Sequence, residues 1–432
     1  MKLNSLNSWL EHIQSLGPKE VELGLERISP IYEKLIRPFI KSKTIVVGGT
    51  NGKGTTVEFL SQLLISKKRS VGTFTSPHLF NFNERIKVNG QAVPERYIIN
   101  SFKLIEENRG SVQLTYFDFS TLAALLIFNE FKVDVMVLEI GLGGRLDPVN
   151  IVDSDIAILT NVELDHQDWL GNTREIIGKE KAAIFRSQKP VILGQHSIPE
   201  SVLEKAIELQ NQVYRVGGRF DYQVDGLQKK WSYSFSGQKA ITFSQIHLNN
   251  LSVSSLSSAL TAFCILEEDV KIDIEAVLKK TDLKGRCELI ENRFLLDVSH
   301  NESSARYLSA FLERNFETDR EISAVFGVMS DKDINSIIKP LLRRVKNWYA
   351  TSPDIERSMD SNELSKLISL KSPSQVNQVK NVKEACLKAH EETGEGGLIL
   401  IFGSFYTVAE AFPAIKLLRS VAYYSCIKFL VK

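Results

Sequence analysis

The sequence predicts an α/β protein of two domains: a larger domain around a central, mostly parallel sheet, then a smaller Rossmann-like α/β domain. Three observations lead there. Short β-branched runs alternate with helical apolar spacing along most of the chain. One such run, Ile45-Val46-Val47, enters a glycine-rich turn that opens a helix. The length of 432 residues also exceeds what one ordinary core organises. The expected division is residues 1–284, a linker over 285–292, and a second domain over 293–432.

Composition narrows the classes. Hydrophobic residues make up 43% and charged residues 24%, the balance of a soluble globular chain. A net charge of +1 gives no overall field for nucleic acid or an acidic membrane, so only an oriented local patch could bind phosphate. Cysteines 264, 287, 386 and 426 lack metal-ligand spacing, which predicts free thiols in a reducing compartment. The first ten residues show no leader pattern. Lys416, Arg419 and Lys428 interrupt the apolar C-terminal stretch, so a helix packed on its own domain is expected there rather than a membrane span or anchor. The expectation is a cytoplasmic monomer with small-molecule substrates and neither nucleic acid nor membrane as partner.

Residues 3–36 read as helical around a Gly17-Pro18 turn, and Glu22-Leu23-Gly24-Leu25 by itself reads as the start of an amphipathic helix. The strand from Thr44 then leads into Gly49-Thr-Asn51-Gly52-Lys53-Gly54-Thr55-Thr56. Glycines allow close backbone approach to an anion, the helix start presents unpaired N–H groups, Lys53 adds a point charge, and Thr55 or Thr56 can offer a hydroxyl to Mg²⁺. The lysine lies between two glycines and Val47 occupies the place of the first glycine, so the order differs from the usual phosphate loop.

Val71–Leu79 reads as a strand ending in a Ser76-Pro77 turn. Thr115-Tyr116-Phe117-Asp118 opens a helix whose aromatics suit either the core or a flat heteroaromatic ligand. The run Val133–Ile140 reads as a strand buried on both faces that ends in a carboxylate, Glu139. Burying that carboxylate alone would be costly, which favours a metal-ligand reading. A further strand over 155–161 leads to His166, and Thr173 caps a helix in which Lys181 reads, by itself, as solvated. Residues 185–250 carry only short alternations such as Trp231-Ser-Tyr-Ser-Phe235, and a helix follows over 252–266. After Gly285-Arg286-Cys287, strands and helices alternate again, with Asp297, His300 and Asn301 at one strand end and Gly403-Ser404 at another.

Taken together, these motifs resemble the folylpolyglutamate synthase family of the Mur ligase superfamily, over about residues 20–410. The resemblance implies ATP bound by Asn51, Gly52, Lys53, Gly54, Thr55, Arg286 and Asp297. It implies two Mg²⁺ ions, held by Ser76, Glu139 and His166, and a carbamate on Lys181. By the same resemblance Lys53, Lys181 and His300 are catalytic, with His300 placing the incoming amine.

Glu22, Leu23, Gly24 and Leu25, then Thr115, Tyr116, Phe117 and Asp118, then Leu146, Asp147 and Pro148, resemble the pteroate-binding segments of the bifunctional members, with Asp118 where those carry glutamate. The implied activity is ATP-dependent ligation of L-glutamate to dihydropteroate and to reduced folates through an acyl phosphate, with ATP and both substrates meeting between the two domains. A monofunctional folylpolyglutamate synthase, another Mur-type amino-acid ligase and a nucleotide-dependent switch are the alternatives. The second of these is disfavoured because residues 1–43 leave no room for a uridine-nucleotide domain. The chain also departs from the family pattern: Ser255 stands for the usual asparagine, Cys287 for phenylalanine and Glu302 for proline.

Overall fold

The strands of the first sheet are β1 (Lys43–Gly48), β2 (Val71–Phe74), β3 (Ile86–Val88), β4 (Gln91–Ala92), β5 (Val135–Glu139), β6 (Ile156–Leu159), β7 (Pro190–Leu193) and β8 (Gln212–Arg215). Their spatial order is β4-β3-β2-β5-β1-β6-β7-β8. The six strands from β2 to β8 run parallel, and β3 and β4 extend the β2 edge antiparallel. This computed structural model describes residues 3–16, 22–237 and 240–430 and divides into two units, Met1–Asp282 and Leu283–Lys432.

The central position of β1 follows from its composition. Ile45, Val46 and Val47 are wholly buried, which a strand covered by helices on both faces requires. Register with β5 sets Val47 opposite Glu139, and register with β6 sets Gly48 opposite Leu159. The loops after β1, β2, β5 and β6 therefore leave the sheet from the same edge, where open α/β sheets hold their ligands.

Two helices, Leu6–Leu16 and Ser29–Leu35, form where residues 3–36 were expected to be helical. Residues 22–28 between them are non-helical, so the segment with Glu22 and Leu25 does not begin a helix. The expected Gly17-Pro18 turn lies outside the described residues.

The stretch 185–250, nearly silent in sequence, supplies β7, β8 and a separate antiparallel sheet of β9 (Phe220–Asp225), β10 (Lys230–Ser236) and β11 (Ala240–His247), with β10 central. Along β10 the side chains of Trp231, Tyr233 and Phe235 are buried while their neighbours are not, the two-residue period of a one-sided sheet. Tyr233 meets Thr261 Oγ1 at 2.8 Å on helix Val253–Leu266. That helix is capped by Ser252.

The second unit is a six-stranded sheet: β12 (Glu288–Ile290), β13 (Phe294–Asp297), β14 (Ile322–Phe326), β15 (Asn347–Ala350), β16 (Gln375–Gln378) and β17 (Leu398–Phe402), ordered β12-β13-β17-β14-β15-β16. All neighbours are parallel except β12 and β13. Within the span 285–292 expected as a linker, Glu288–Ile290 pairs with β13 as the edge strand of the second sheet. The final helix, Phe405–Leu430, buries Ala414 and Ile415 in its first half. Among the described residues no helix is long and apolar enough to cross a membrane.

At the centre of this second core Phe326 stacks on Phe402 with ring centroids 4.6 Å apart, and Trp348 closes the group edge-on. Phe326→Ala should lower the stability of the second unit by ~3–5 kcal/mol, the usual cost of emptying a buried aromatic site. Guanidinium unfolding followed by tryptophan fluorescence measures the effect, and an unchanged midpoint would refute the assignment of this cluster as the core.

Candidate active site

The turn after β1 is shaped by its glycines and by the end of β6. Gly49 (φ 141°) lies so close to Thr160 that a Cβ there would stand 1.9 Å from Thr160 Oγ1. Gly52 (φ 82°) ends the turn in the left-handed region and would carry its Cβ into Ser255 Oγ at 2.3 Å. Asn161 Oδ1 accepts N–H bonds from Thr50 (3.1 Å) and Asn51 (2.8 Å), while Thr160 Oγ1 donates to Asn51 O (2.7 Å). The turn is thus fixed before helix Lys53–Ser66 begins. Lys53 Nζ folds back onto the carbonyls of Gly49 (3.1 Å) and Thr50 (3.2 Å). Thr56 Oγ1 donates to Gly52 O at 3.0 Å and to Ser255 O at 3.4 Å, so Thr55 has the hydroxyl better placed to meet a cation.

Lys181 reverses its sequence reading. It is 5% exposed, and its Nζ donates to Gly49 O at 3.0 Å, the carbonyl that Lys53 also uses. Burial, and after it the charge of Lys53, push its pKa down from 10.5 to about 7, against the opposing pull of Asp165 and Asp147. Asp147 moves the other way, from 3.8 up to about 7, because it is completely enclosed. The N–H groups of Leu142 (2.9 Å) and Val149 (3.0 Å), with that of Gly141, limit the rise, as does the charge of Lys53.

Glu139, 5% exposed at the end of β5, accepts from Ser76 N at 3.1 Å and faces Gly54, whose Cβ would lie 3.7 Å from Oε2. The Ser76 loop is held in turn by Glu84, which accepts from the N–H groups of Leu79, Phe80 and Asn81. His166 stands on the loop after β6 in a left-handed conformation, its ring 3.9 Å from Asp165. Among the described residues no three His, Cys, Asp or Glu side chains form a metal-binding group. Glu139 and Ser76 nonetheless suit a hard cation, being a buried carboxylate and an adjacent hydroxyl residue beside the nucleotide turn.

The three segments expected to hold the acid substrate come together in the first unit. Gly24 N donates to Leu146 O (3.2 Å), and Arg27 Nε donates to Asp118 Oδ2 (3.0 Å). A Cβ on Gly141 would touch Phe117 Cζ at 2.7 Å and Asp147 Oδ2 at 3.2 Å. Thr115 caps helix Tyr116–Phe131 in a reciprocal box with Asp118. Tyr116 packs edge-on against Phe82 and beneath the Arg85 guanidinium, which also donates to His78 Nδ1 (2.8 Å). Pro148 follows Asp147 as the first residue of a short 3₁₀ turn capped by that aspartate.

In the second unit Asp297 is buried at the end of β13. Oδ2 accepts from Cys287 N (2.8 Å) and Oδ1 from Ser299 N (2.9 Å) and Ser299 Oγ, so this carboxylate, expected to contact the nucleotide, holds its own turn together. His300 Nδ1 lies 2.9 Å from Val298 O, a bond that needs the proton on Nδ1 and leaves Nε2 the acceptor nitrogen of the neutral ring. Arg286 lies over the Phe405 ring at 4.9 Å.

The Mur ligase middle domain matches residues 47–266, and the Mur ligase glutamate ligase domain matches residues 285–405. The dihydrofolate synthase/folylpolyglutamate synthase of Buchnera aphidicola subsp. Schizaphis graminum is 37% identical over 98% of this chain and 99% of its own length. The chain belongs to the dihydrofolate synthase/folylpolyglutamate synthase family of Mur ligases. The structure of E. coli FolC in complex with DHPP and ADP aligns with a TM-score of 0.89 at 35% identity, covering 96% of this chain and 99% of that one. A bifunctional folylpolyglutamate synthase/dihydrofolate synthase with Mn, AMPPNP and L-glutamate bound aligns with a TM-score of 0.85 at 35% identity, covering 96% and 98%.

Within this family the three departures of the chain have local accounts. Ser255 sits directly against Gly52, where its side chain completes the wall of the turn. Cys287 adds a weak thiol contact to Asp297 at 3.4 Å, which a phenylalanine could not make. Glu302 begins helix Glu302–Asn315 without a proline because Asn301 caps it. Sequence reading missed Asn161, Asp165, Arg27 and Arg85. The pairs Thr160-Asn161 and Asp165-His166 at the end of a strand facing the nucleotide turn were an available signal, whereas Arg27 reaches a partner 91 residues away.

The raised pKa of Asp147 fixes the sign of a pH effect. Its folded value of about 7 lies above the ordinary 3.8, so its contribution is fully present below about pH 4 and is lost as pH rises towards 7. Asp147→Asn should therefore gain in melting temperature over the parent progressively across that window and level off above it. A pH-independent difference would show that Asp147 is ionised throughout.

Proposed function

We propose that this chain ligates L-glutamate, at the cost of ATP, to dihydropteroate and to the γ-carboxyl of reduced folates. The observation that carries the reading is the convergence, at one sheet edge of the first unit, of the Gly49–Thr56 turn, two lysines sharing one carbonyl, and the three segments around Asp118 and Asp147. An anion and an aromatic acid would there meet neighbouring walls of one site.

In the reaction an oxygen of the pterin-borne carboxylate attacks the γ-phosphorus of ATP, and the bond to ADP breaks. The acyl phosphate that results is attacked by the neutral α-amino group of glutamate. Phosphate leaves and an amide remains. Lys53 moves from the carbonyls of Gly49 and Thr50 onto the phosphates, and the N–H groups of Gly52, Lys53, Gly54 and Thr55 at the helix start face them with Asn51. Ser76, Glu139 and His166 would hold two Mg²⁺ ions, which neutralise charge on the transferred group when bound. Thr115, Tyr116, Phe117, Leu146, Asp147 and Pro148 enclose the pterin-bearing acid. In the second unit the Nε2 acceptor of His300 orients the amine and takes up its proton, and Arg286 contributes to nucleotide binding.

A pKa near 7 leaves Lys181 neutral often enough to add CO₂, so a carbamate at this position is part of the proposal. Below pH 7 the lysine is mostly protonated and cannot add CO₂.

With ATP, Mg²⁺ and glutamate, purified protein should release ADP only when dihydropteroate or a tetrahydrofolate is added. Lys53→Ala should lower kcat by at least ~100-fold through loss of transition-state charge stabilisation. A Lys53→Ala enzyme of parental rate would refute the assignment of the turn. Bicarbonate should stimulate CO₂-depleted enzyme, the rate of activation rising with pH through about 7, and Lys181→Arg should abolish the response. Full activity of Lys181→Arg without bicarbonate would refute the carbamate.

A further inference from the structure

The segment around Gly24 is tied to the rest of the acid-binding region by one side chain. Arg27 donates from Nε to Asp118 Oδ2 (3.0 Å) and from Nη2 to Glu22 O (2.7 Å), and its Nη1 lies 3.4 Å from Glu22 Oε1. Asp118 has no accessible surface, and Oδ2 also accepts from Thr115 N at 2.8 Å. Its Oδ1 has no hydrogen-bond partner among the described residues. A buried carboxylate in this condition needs a nearby cation, and Arg27 supplies it. The guanidinium fork matters: one nitrogen holds the carboxylate while another holds the backbone of the segment, which a lysine could not do in the same geometry. Beyond Arg27, Gly24 N is bonded to Leu146 O, next to Asp147.

We propose that Arg27 is a positioning residue for the pterin-bearing acid: through Asp118 it sets residues 22–25 against the 146–148 turn, so that the two segments present one preformed wall to that substrate. This rests on the acid-ligase reading above. The wall costs no ordering when substrate arrives, so its loss weakens capture of the acid and leaves nucleotide binding alone. The nucleotide turn draws its own support from Thr160 and Asn161, which Arg27 does not touch in any described contact.

Three variants test this: Arg27→Gln, Arg27→Lys and the double variant Arg27→Gln with Asp118→Asn. The double variant leaves no buried charge unpaired, so it keeps the test open if Arg27→Gln folds poorly. Expected is a rise of ~10-fold or more in KM for dihydropteroate, with KM for ATP unchanged and kcat within about twofold. Arg27→Lys should recover part of the loss. The double variant should be no worse than Arg27→Gln, since the two residues act as one unit.

Independently of any substrate, hydrogen exchange at the Gly24 amide should accelerate in Arg27→Gln and in the double variant. Unchanged exchange with unchanged KM would overturn the proposal, as would equal increases in KM for ATP and dihydropteroate. If the parent enzyme does not act on dihydropteroate or folates at all, the ligase reading fails instead, and the exchange result still decides whether Arg27 orders the segment.

Discussion

Much of the first unit's architecture turns on where a buried ammonium can be tolerated. Lys181 reaches Gly49 O from helix Arg174–Ala182, and an amine so enclosed persists only if its surroundings compensate for lost water. The compensation comes from three loops: the Gly49 carbonyl from the turn after β1, Asp147 from the loop after β5, and Asp165 from the loop after β6. Parallel register brings all three loops to one edge. With Lys53 on the same carbonyl, two potential cations stand among the carboxylates of Glu139, Asp147 and Asp165. Such a set tolerates a triphosphate only if cations accompany it, which is why a nucleotide and divalent metal belong together here.

The fold was legible wherever burial imposes a simple sequence period. Ile45–Val47 and Val135–Glu139 read as strands because both faces are covered, and Thr173 announced its helix through a cap that the structure contains; the helices read from Thr115 and Ser252 prove to be capped by those residues as well. The antiparallel sheet of β9 to β11 was missed except for the alternation at Trp231, since its outer positions are polar and its turns unremarkable in composition. Strand β12, inside the span read as a linker, was silent for a different reason. A three-residue strand such as β12 is defined by its partner β13, not by its own residues.

The site divides in the same way. Glu139 could be found from sequence because a carboxylate ending an apolar strand is anomalous in itself. Lys181 came only through the family resemblance and not from its own surroundings, because helix Arg174–Ala182 also carries Lys179 and nothing local separates a buried lysine from a solvated one. Asp297 was read as a ligand residue for its place at a strand end, and the structure adds that its oxygens accept from Cys287 and Ser299. Position at the functional edge is therefore necessary for a role in binding and does not establish one. What the carboxylate already bonds to is the second consideration.

That criterion separates the two buried aspartates beside the aromatic pair. Asp118 stands in the first turn of helix Tyr116–Phe131, where it accepts from Thr115 N and pairs with Arg27. An aspartate suffices there, because a capping carboxylate needs only to reach back three residues, and the longer glutamate of the family is not required. Asp147 has no ion-pair partner at hydrogen-bond distance among the described contacts and is held by backbone N–H groups alone, with its pKa near 7. Near neutral pH it is therefore divided between its charged and neutral forms, whereas Asp118 is tied to one cation.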